Sequence, residues 1–376
     1  MSARHHVYFV PGLFGFGRLA GYDYFTHMRK GLEARYRDAG VLATFEDVPS
    51  PPTSSLRERA RVLATTVSRT VSPNGVIHLV GHSTGGLDSR LVVAPNTDLH
   101  LHRELMAWTP RVRSVITLNT PHYGTPLASY FATVSGTRVL YAISLLTVIS
   151  LKLGEPSLAI FSRILATLGG VDSFLGGDLK VFRSSTDALL RFIDKDGRGE
   201  ITDFLSKVRT DQGAVIQTTP EAMDLFNAVA DDNRDVRYAC VATAAPRPRT
   251  MRFAWRVRSP YAAFTAALYT TWYQFAAQRH KQYYYAHPSE SERVALRVGI
   301  GHEISDADSD GIVPTLSMLW GTLLWAGEAD HLDVLGHFHD RLKPSDHTDW
   351  LTSGAAFDRR RFSDLLNQIA TFQLSG

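Results

Sequence analysis

The sequence predicts an α/β domain whose mostly parallel sheet is covered by helices on both faces. Short apolar runs with strand character alternate with amphipathic helical patterns over the first 120 residues, in the order β, α, β, α, β. The third run, residues 76–80, is almost wholly apolar, as expected for a strand that is buried on both faces. It leads directly into a Gly-x-Ser-x-Gly pattern at residues 81–85 and then into a helical pattern. Open α/β sheets place their sites at the carboxyl ends of such central strands.

The remaining elements follow from the spacing of apolar residues along the chain. The first strand ends at Pro11-Gly12, and the first helix places apolar residues on one face. Strands are predicted at 7–10, 41–45, 76–80, 112–118, 236–243 and 294–300, and helices at 22–39, 55–71 and 357–372.

The alternation of strands and helices stops after residue 126 and resumes near residue 236. We therefore predict a core in two parts, residues 1–126 and 236–376, with a largely helical cap or lid at 127–235 and an aromatic-rich insertion at about 246–292. The apolar stretch 139–149 is too short and too interrupted to span a membrane. It is either an ordinary buried helix pair or the lid face that contacts lipid.

Composition excludes several classes of protein. Forty basic and thirty-seven acidic residues give a formal charge of +3, which is too small for an electrostatic nucleic-acid footprint. The single Cys240 cannot form an internal disulfide and is predicted to be a small buried residue.

The N-terminus runs almost at once into a strand, which leaves no room for a signal peptide. A cytoplasmic protein is the default expectation, although a secreted chain whose signal had been removed would look the same.

Ser83, at the centre of the Gly-x-Ser-x-Gly pattern, is the predicted nucleophile. A serine on a tight turn between a strand and a helix takes strained backbone angles. Strand and helix can then approach only if the residues two before and two after the serine are small. The predicted elbow residues beside it are Gly81, His82 and Gly85.

A serine hydroxyl is a weak nucleophile and needs an imidazole base that a carboxylate orients. In proteins with a serine elbow, the acid and then the histidine follow the serine. We predict Asp310 as the acid, because it follows the predicted strand 294–300 and precedes a glycine and an apolar run that should bury its carboxylate. Asp306 and Asp308 are predicted to be solvated. His331, twenty-one residues after the acid, is the predicted base.

Alternatives exist for both groups. The residues from Asp306 match the first half of a calcium-binding EF-hand loop, but Ser317 stands at the twelfth position, where that loop needs a glutamate. Two of the competing histidines fall on the following helical pattern, where a surface or capping role is the simpler interpretation. The histidines that compete with His331 are His337, His339 and His347.

The tetrahedral intermediate needs backbone N–H donors, normally one from the residue after the nucleophile and one from the loop after an early strand. Thr84 and Leu13 occupy these two places. Their amides should matter more than their side chains.

Five motifs occur in one order along the chain, at residues 9–16, 81–87, 119–126, 309–314 and 330–333. The first is Phe-Val-Pro-Gly-Leu-Phe-Gly-Phe, the second Gly-His-Ser-Thr-Gly-Gly-Leu and the third Asn-Thr-Pro-His-Tyr-Gly-Thr-Pro. The last two are Ser-Asp-Gly-Ile-Val-Pro and Asp-His-Leu-Asp. Together they resemble bacterial triacylglycerol lipases and related esterases of the α/β-hydrolase superfamily. The resemblance implies an α/β-hydrolase fold, a mobile cap, the triad Ser83, Asp310 and His331, and the oxyanion donors Leu13 and Thr84.

The sequence departs from the lipase pattern at Pro11, where these lipases usually carry a histidine before the glycine. Some relatives bind a structural calcium through an aspartate two residues after the catalytic histidine, and Asp333 matches that position. The alternative role for Asp333 is a carboxylate at a helix N-terminus. No other cofactor is expected.

These residues predict a serine ester hydrolase whose apolar cap and aromatic residues favour lipophilic acyl groups, from triglycerides to polyesters. The cap is also a candidate for contact with a lipid–water interface. An acyltransferase with the same triad is the alternative enzyme. A non-catalytic binding protein with this fold is a third interpretation, against which the complete set of serine, aspartate and histidine argues.

Overall fold

The computed structural model describes residues 4–13, 18–19, 22–133, 195–248, 260–278, 282–340 and 349–375. The apolar stretch 139–149, most of the predicted cap, loop residues 14–17 and His347 lie outside the described residues. The strands are β1 (His5–Val10), β2 (Ala43–Asp47), β3 (Val76–His82), β4 (Val112–Leu118), β5 (Arg237–Ala244) and β6 (Thr322–Glu328). The helices are α1 (Thr26–Asp38), α2 (Leu56–Thr70), α3 (Thr84–Val93), α4 (Arg103–Met106), α5 (Pro126–Phe131), α6 (Lys195–Thr210), α7 (Gly213–Gln217), α8 (Pro220–Val229), α9 (Pro260–Ala276), α10 (Glu290–Ile300) and α11 (Arg359–Leu374).

These six strands form one parallel sheet in the order β2-β1-β3-β4-β5-β6. Two further strands of two residues each, Arg18–Leu19 and Tyr22–Asp23, form a separate antiparallel pair. Alternate side chains of β1 enter different cores. Val7 and Phe9 pack with α1 and α11, whereas Tyr8 and Val10 pack with α2 and α3. Successive side chains of a strand point to opposite faces, so a strand covered on both sides must be apolar throughout. The predicted parallel sheet with helices on both faces is confirmed.

The first and last helices pack against each other on one face of the sheet. Met28 and Leu32 of α1 share a buried core with Leu365 and Ile369 of α11. A fully buried side chain of this kind contributes about 1.5–3 kcal/mol to stability relative to an exposed one. Tyr36 of α1 donates a buried hydrogen bond of 3.0 Å to Gln373 Oε1 of α11. One wall of the core therefore joins segments from the two ends of the described chain.

The predicted strand at 294–300 is wrong, because these residues belong to helix α10. A capping box, in which the Ser289 and Glu292 side chains bond each other's backbone N–H groups, begins the helix, and Gly301 ends it in the left-handed conformation (φ 96°). Leu296 and Ile300, one turn apart, are its buried residues, while Val298 is exposed. The late strand is β6, after the acid loop rather than before it.

Other boundaries move by a few residues. The second strand begins at Ala43 rather than at residue 41, and α1 begins at Thr26 rather than at residue 22. In the predicted cap, the described residues form α5 to α8. The division of the chain into core and cap stays a prediction. Cys240 is fully buried in β5, as predicted. None of the helices in the described ranges combines the length and apolarity that crossing a membrane requires.

Candidate active site

Ser83 stands on a tight turn between β3 and α3. Its backbone angles, φ 54° and ψ −129°, are strained for a residue with a side chain. A Cβ atom at Gly81 would strike the backbone of Gly85, and one at Gly85 would strike the carbonyl group of Val10. The two glycines are therefore needed because β3, α3 and β1 approach too closely for a side chain at either position, as the pattern predicts. The turn presents the serine at the carboxyl end of a central strand, on the first turn of a helix whose N-terminal dipole favours negative charge.

Asp310 and His331 are brought together. His331 Nδ1 lies 2.6 Å from Asp310 Oδ2, and the backbone N–H of His331 donates to the Asp310 carbonyl at 3.2 Å. The Asp310 side chain is fully buried and that of His331 nearly so. The ring of His331 lies 4.7 Å from the ring of His82, the residue before Ser83. All three predicted triad residues thus reach the same edge of the sheet, and their catalytic roles stay a prediction.

The loop that carries Asp310 returns to the end of β5 after an excursion of about sixty residues. Ser309 accepts a hydrogen bond of 2.8 Å from the Ala245 backbone N–H, just beyond that strand. Gly311 has φ 97°, and a Cβ there would come within 2.7 Å of the Tyr269 ring. Asp310 Oδ1 accepts the backbone N–H groups of the two apolar residues that follow Gly311, both at 2.8 Å. The predicted turn into the core is present, and its donors fix the carboxylate's orientation.

Asp308 is buried, contrary to the prediction of a solvated side chain. Its carboxylate is 1% exposed and lies 3.2 Å from Arg247 Nη2 and 3.3 Å from His302 Nε2. Burial alone would raise the pKa of Asp308, but hydrogen bonds from Ser305 and the charge of Arg247 outweigh it and lower that pKa. Asp308 therefore links the acid loop, two residues before the acid, to Arg247 in the segment after β5.

The competing histidines are placed differently from expectation. His337 is fully buried rather than on a helix surface, because only the short 3₁₀ turn Asp333–Leu335 forms there among the described residues. Its Nε2 donates to the Tyr24 carbonyl at 3.2 Å, and its ring stacks on Trp350. His339 is half-buried and also lies outside any helix. His337 thus supports the loop that follows His331.

The predicted oxyanion loop touches the nucleophile. A Cβ atom at Gly12 would come within 2.5 Å of Ser83 Cβ and 3.1 Å of Ser83 Oγ, so only glycine fits beside the serine. Leu13 follows this glycine, and Thr84 begins α3 on the other side of the serine. Their amides as oxyanion donors stay a prediction.

Asp333 lies at the start of the 3₁₀ turn and accepts the backbone N–H of Asp330 at 2.8 Å. This contact agrees with its alternative role as a carboxylate at a helix N-terminus. In the part of the chain that the structure describes, no three His, Cys, Asp or Glu side chains are grouped so that they could hold a metal ion. Asp333 as a calcium ligand stays a prediction.

An apolar cluster borders all three loops of the site. Leu13 of the oxyanion loop, Ile312 of the acid loop and Leu332 of the histidine loop all pack against it. Its buried members are Leu127, Phe131, Val215, Trp272 and Leu351. Trp272 belongs to α9, so the aromatic-rich insertion supplies part of the wall beside the site.

Sequence reasoning missed three buried polar residues that contact the segments of the site: Tyr24, Arg59 and Asp330. Arg59 gave a signal, because it lies at position i+3 from Leu56 and i−4 from Leu63 on the apolar face of α2, where a charge needs a buried partner. Tyr24 and Asp330 gave no such signal, since a tyrosine near the start of a helical pattern and an aspartate before a histidine are ordinary.

Asp330 makes stability depend on pH. Burial raises the pKa of this carboxyl to about 6, and the neighbouring Asp310 adds to the rise against the hydrogen bonds from Ser353 and the backbone. The pKa of Asp330 is higher in the folded state than in the unfolded state, where it is about 4. Between about pH 4 and about pH 6 the folded state therefore holds a proton that the unfolded state releases, and stability falls as pH rises through this range. We expect the group to remove on the order of 1–3 kcal/mol of unfolding free energy between pH 4 and pH 7.

Chemical denaturation of the wild type and of Asp330→Asn at both pH values measures this effect. Asparagine keeps the acceptor for the backbone and the contact to Ser353. The variant should therefore lose the pH-dependent part of the unfolding free energy, so that its stability falls less than that of the wild type between pH 4 and pH 7. Asp235→Asn, at an exposed position, is the control and should keep the wild-type slope. Equal slopes for Asp330→Asn and the wild type would contradict the prediction.

Comparison with solved structures shows the fold. Lipase 1 from Pelosinus fermentans aligns over 98% of this chain and 99% of its own, with 17% identity and a TM-score of 0.52. EstA from Clostridium botulinum aligns over 97% of this chain and 88% of its own, with 16% identity and a TM-score of 0.51. No protein-family model and no curated protein sequence matches the chain. Together with the serine turn after β3, the likeness identifies the α/β-hydrolase fold.

Proposed function

We propose that the protein is a serine carboxylic-ester hydrolase that acts on lipophilic esters through an acyl-enzyme. The observation that carries the proposal is the buried 2.6 Å hydrogen bond between His331 Nδ1 and Asp310 Oδ2, next to the strained elbow of Ser83. In a neutral imidazole, a carboxylate that accepts the Nδ1–H selects the tautomer in which Nε2 is free to accept a proton. Lipase 1 from Pelosinus fermentans shares this fold, which agrees with the proposal but does not carry it at 17% identity.

In the proposed acylation, Ser83 Oγ attacks the ester carbonyl carbon while His331 Nε2 takes the hydroxyl proton. Asp310 stabilises the imidazolium that forms and holds its ring in place. The carbonyl oxygen becomes an oxyanion, which accepts hydrogen bonds from the amides of Leu13 and Thr84. The tetrahedral intermediate then collapses, the C–O bond of the ester breaks, and the imidazolium gives its proton to the leaving alcohol.

Deacylation repeats these steps with water as the nucleophile. His331 removes a proton from water, the hydroxide attacks the acyl carbon, and the carboxylic acid leaves as Ser83 regains its proton. The strained serine and the buried aspartate are arranged before the substrate binds, so little reorganisation accompanies the reaction.

The apolar cluster beside the site supports a lipophilic acyl group. Residues from the oxyanion, acid and histidine loops all contact it, so an acyl chain bound at Ser83 would lie next to Trp272 and its neighbours. Burying one methylene group contributes about 0.8 kcal/mol, which is roughly a fourfold gain in kcat/KM when it is used in the transition state.

The test combines covalent labelling with a series of substrates. A p-nitrophenyl alkylphosphonate should attach to the wild type at Ser83, as located by peptide mass spectrometry. The kcat/KM for p-nitrophenyl esters from acetate to laurate should rise up to about fourfold per methylene until the apolar wall is filled. Labelling at another residue, or no hydrolysis of any ester in the series, would overturn the proposal.

A further inference from the structure

The peptide that joins Pro11 to Gly12 lies directly against the nucleophile. Gly12 approaches Ser83 so closely that no side chain fits between them. The next amide along the chain, that of Leu13, is the proposed oxyanion donor. A trans peptide is planar, so the orientation of the Pro11–Gly12 plane limits where the following N–H can point. What holds this plane is therefore relevant to catalysis.

Arg59 holds one side of the peptide. Its Nη2 donates to the Pro11 carbonyl, while Nη1 donates to the Pro51 carbonyl at 2.5 Å and Nε donates to Asp88 Oδ2 at 2.8 Å. Arg59 and Asp88 are fully buried. With all three nitrogens engaged, the planar guanidinium has a single available orientation. Asp88 lies on α3, the helix that begins after Ser83, so the guanidinium joins the oxyanion loop to the elbow.

Tyr24 holds the opposite side of the same peptide. The Gly12 backbone N–H donates to the Tyr24 hydroxyl oxygen. That hydroxyl lies 2.7 Å from His82 Nδ1, and His82 Nε2 lies 2.8 Å from the His331 carbonyl. In a trans peptide the C=O and N–H point in opposite directions, so Arg59 and Tyr24 hold the Pro11–Gly12 plane from its two edges.

The donor and the acceptor of each hydrogen bond in this series are determined. A carbonyl only accepts, so His82 Nε2 must carry its hydrogen and donate to His331. His82 Nδ1 is then the acceptor, and the Tyr24 hydroxyl must donate to it. The tyrosine oxygen therefore faces the Gly12 N–H with its lone pairs. Burial and the nearby His331 hold the pKa of His82 well below its usual value, which keeps the ring in this neutral form.

A contribution to stability does not by itself explain why Arg59, Asp88 and Tyr24 are buried around this peptide. A buried ion pair adds little net stability, since the desolvation of both charges offsets their attraction. The Tyr24 hydroxyl, by contrast, connects the oxyanion loop to His82, the residue before the nucleophile, and His82 in turn bonds the backbone of the base.

We propose that Tyr24 and Arg59 are positioning residues that clamp the Pro11–Gly12 peptide and so aim the Leu13 amide at the oxyanion. The inference rests on the proposed hydrolase function and adds two residues to it. Neither side chain touches the substrate. The clamp acts by arranging a donor before the reaction begins, and a donor misplaced by about 1 Å can cost up to a hundredfold in rate.

Tyr24→Phe tests the clamp, with Tyr36→Phe as the matched control. Both residues are buried tyrosines whose hydroxyls make hydrogen bonds, but Tyr36 bonds to Gln373, away from the site. Tyr24→Phe should lower kcat by about 10- to 100-fold with KM changed less than about twofold. The Ki of an alkyl trifluoromethyl ketone, which forms an oxyanion on the serine, should rise by the same factor as kcat falls. Tyr36→Phe should lose a similar amount of stability and keep the wild-type kcat and Ki.

Arg59→Lys is the second variant. Lysine keeps the charge beside Asp88 but has one nitrogen and cannot also hold Pro11 and Pro51. It should lower kcat in the same range, and the double variant with Tyr24→Phe should lose less than the product of the two single losses, because both act on one peptide. Wild-type kcat and Ki in both single variants would overturn the clamp.

Amide hydrogen exchange on the full chain separates this inference from the proposed function. In Tyr24→Phe, but not in Tyr36→Phe, exchange in the peptide covering residues 9–13 should become faster. If the wild type hydrolyses no ester but exchange is still faster in Tyr24→Phe, the hydrolase proposal is overturned, and Tyr24 serves only to anchor the loop. An active wild type whose Tyr24→Phe variant keeps both its exchange and its kcat would overturn the clamp alone.

Discussion

Replacing Ser83 by alanine should lower kcat for the hydrolysis of a p-nitrophenyl ester by on the order of 10⁵- to 10⁶-fold. Without the hydroxyl no acyl-enzyme can form, and only binding and the oxyanion donors remain to accelerate attack by water. The substitution removes a single oxygen atom from a position that stays nearly buried, so the fold should persist. Relief of the strained backbone at φ 54° does not follow, because alanine carries the same Cβ.

Ser89→Ala is the matched control for this experiment. Ser89 lies on α3, fully buried, and its hydroxyl only donates to the Gly85 carbonyl of the preceding turn. The variant should retain kcat within about threefold, since that backbone carbonyl stays in the helix hydrogen-bond ladder. If Ser83→Ala keeps more than about one hundredth of the wild-type kcat, Ser83 is not the nucleophile.

Asp310→Asn should lower kcat by about 10⁴-fold. The amide group of asparagine can donate to His331 Nδ1, and this favours the tautomer whose hydrogen sits on Nε2. That nitrogen then cannot accept the proton of Ser83. The loss should appear in kcat rather than in KM, because Asp310 is fully buried and would act on the ester only through the imidazole.

Asp308→Asn distinguishes the acid from its neighbour in the same loop. Both carboxylates are buried, but Asp308 binds Arg247, His302 and Ser305 rather than the proposed base. Its substitution should lower the melting temperature, because it leaves Arg247 without its charged partner, and should keep kcat within about tenfold. If Asp308→Asn loses most of its kcat while Asp310→Asn keeps it, the acid was wrongly assigned.

The elbow could be predicted from the sequence because its requirement is steric and local. Only glycine fits at 81 and 85 when a strand meets a helix at such a turn, and an apolar run before it marks a strand buried on both faces. The acid loop was predictable for a similar reason, since Gly311 and the apolar residues after it favour a turn into the core. Each of these arguments uses residues that are neighbours in the chain.

Features that depend on distant partners were missed or wrong. The apolar residues of 294–300 suit either a strand or a helix, and what decides is the capping box at Ser289 and the packing of Leu296 under β6. Asp308 looked solvated because its partner Arg247 lies about sixty residues earlier. The series of hydrogen bonds through Tyr24 and His82 joins segments that are far apart in sequence, so no local pattern reveals it.

The packing of α1 against α11 has a consequence for the protein during its synthesis. A ribosome adds about 5–20 residues per second, so α11 emerges roughly tens of seconds after α1. Until then, Met28 and Leu32 lack the helix that covers them, and for most of that time the sheet also lacks β6. We therefore expect the nascent chain to expose an apolar surface for most of its translation, and yield in cells to depend on chaperones that shield it.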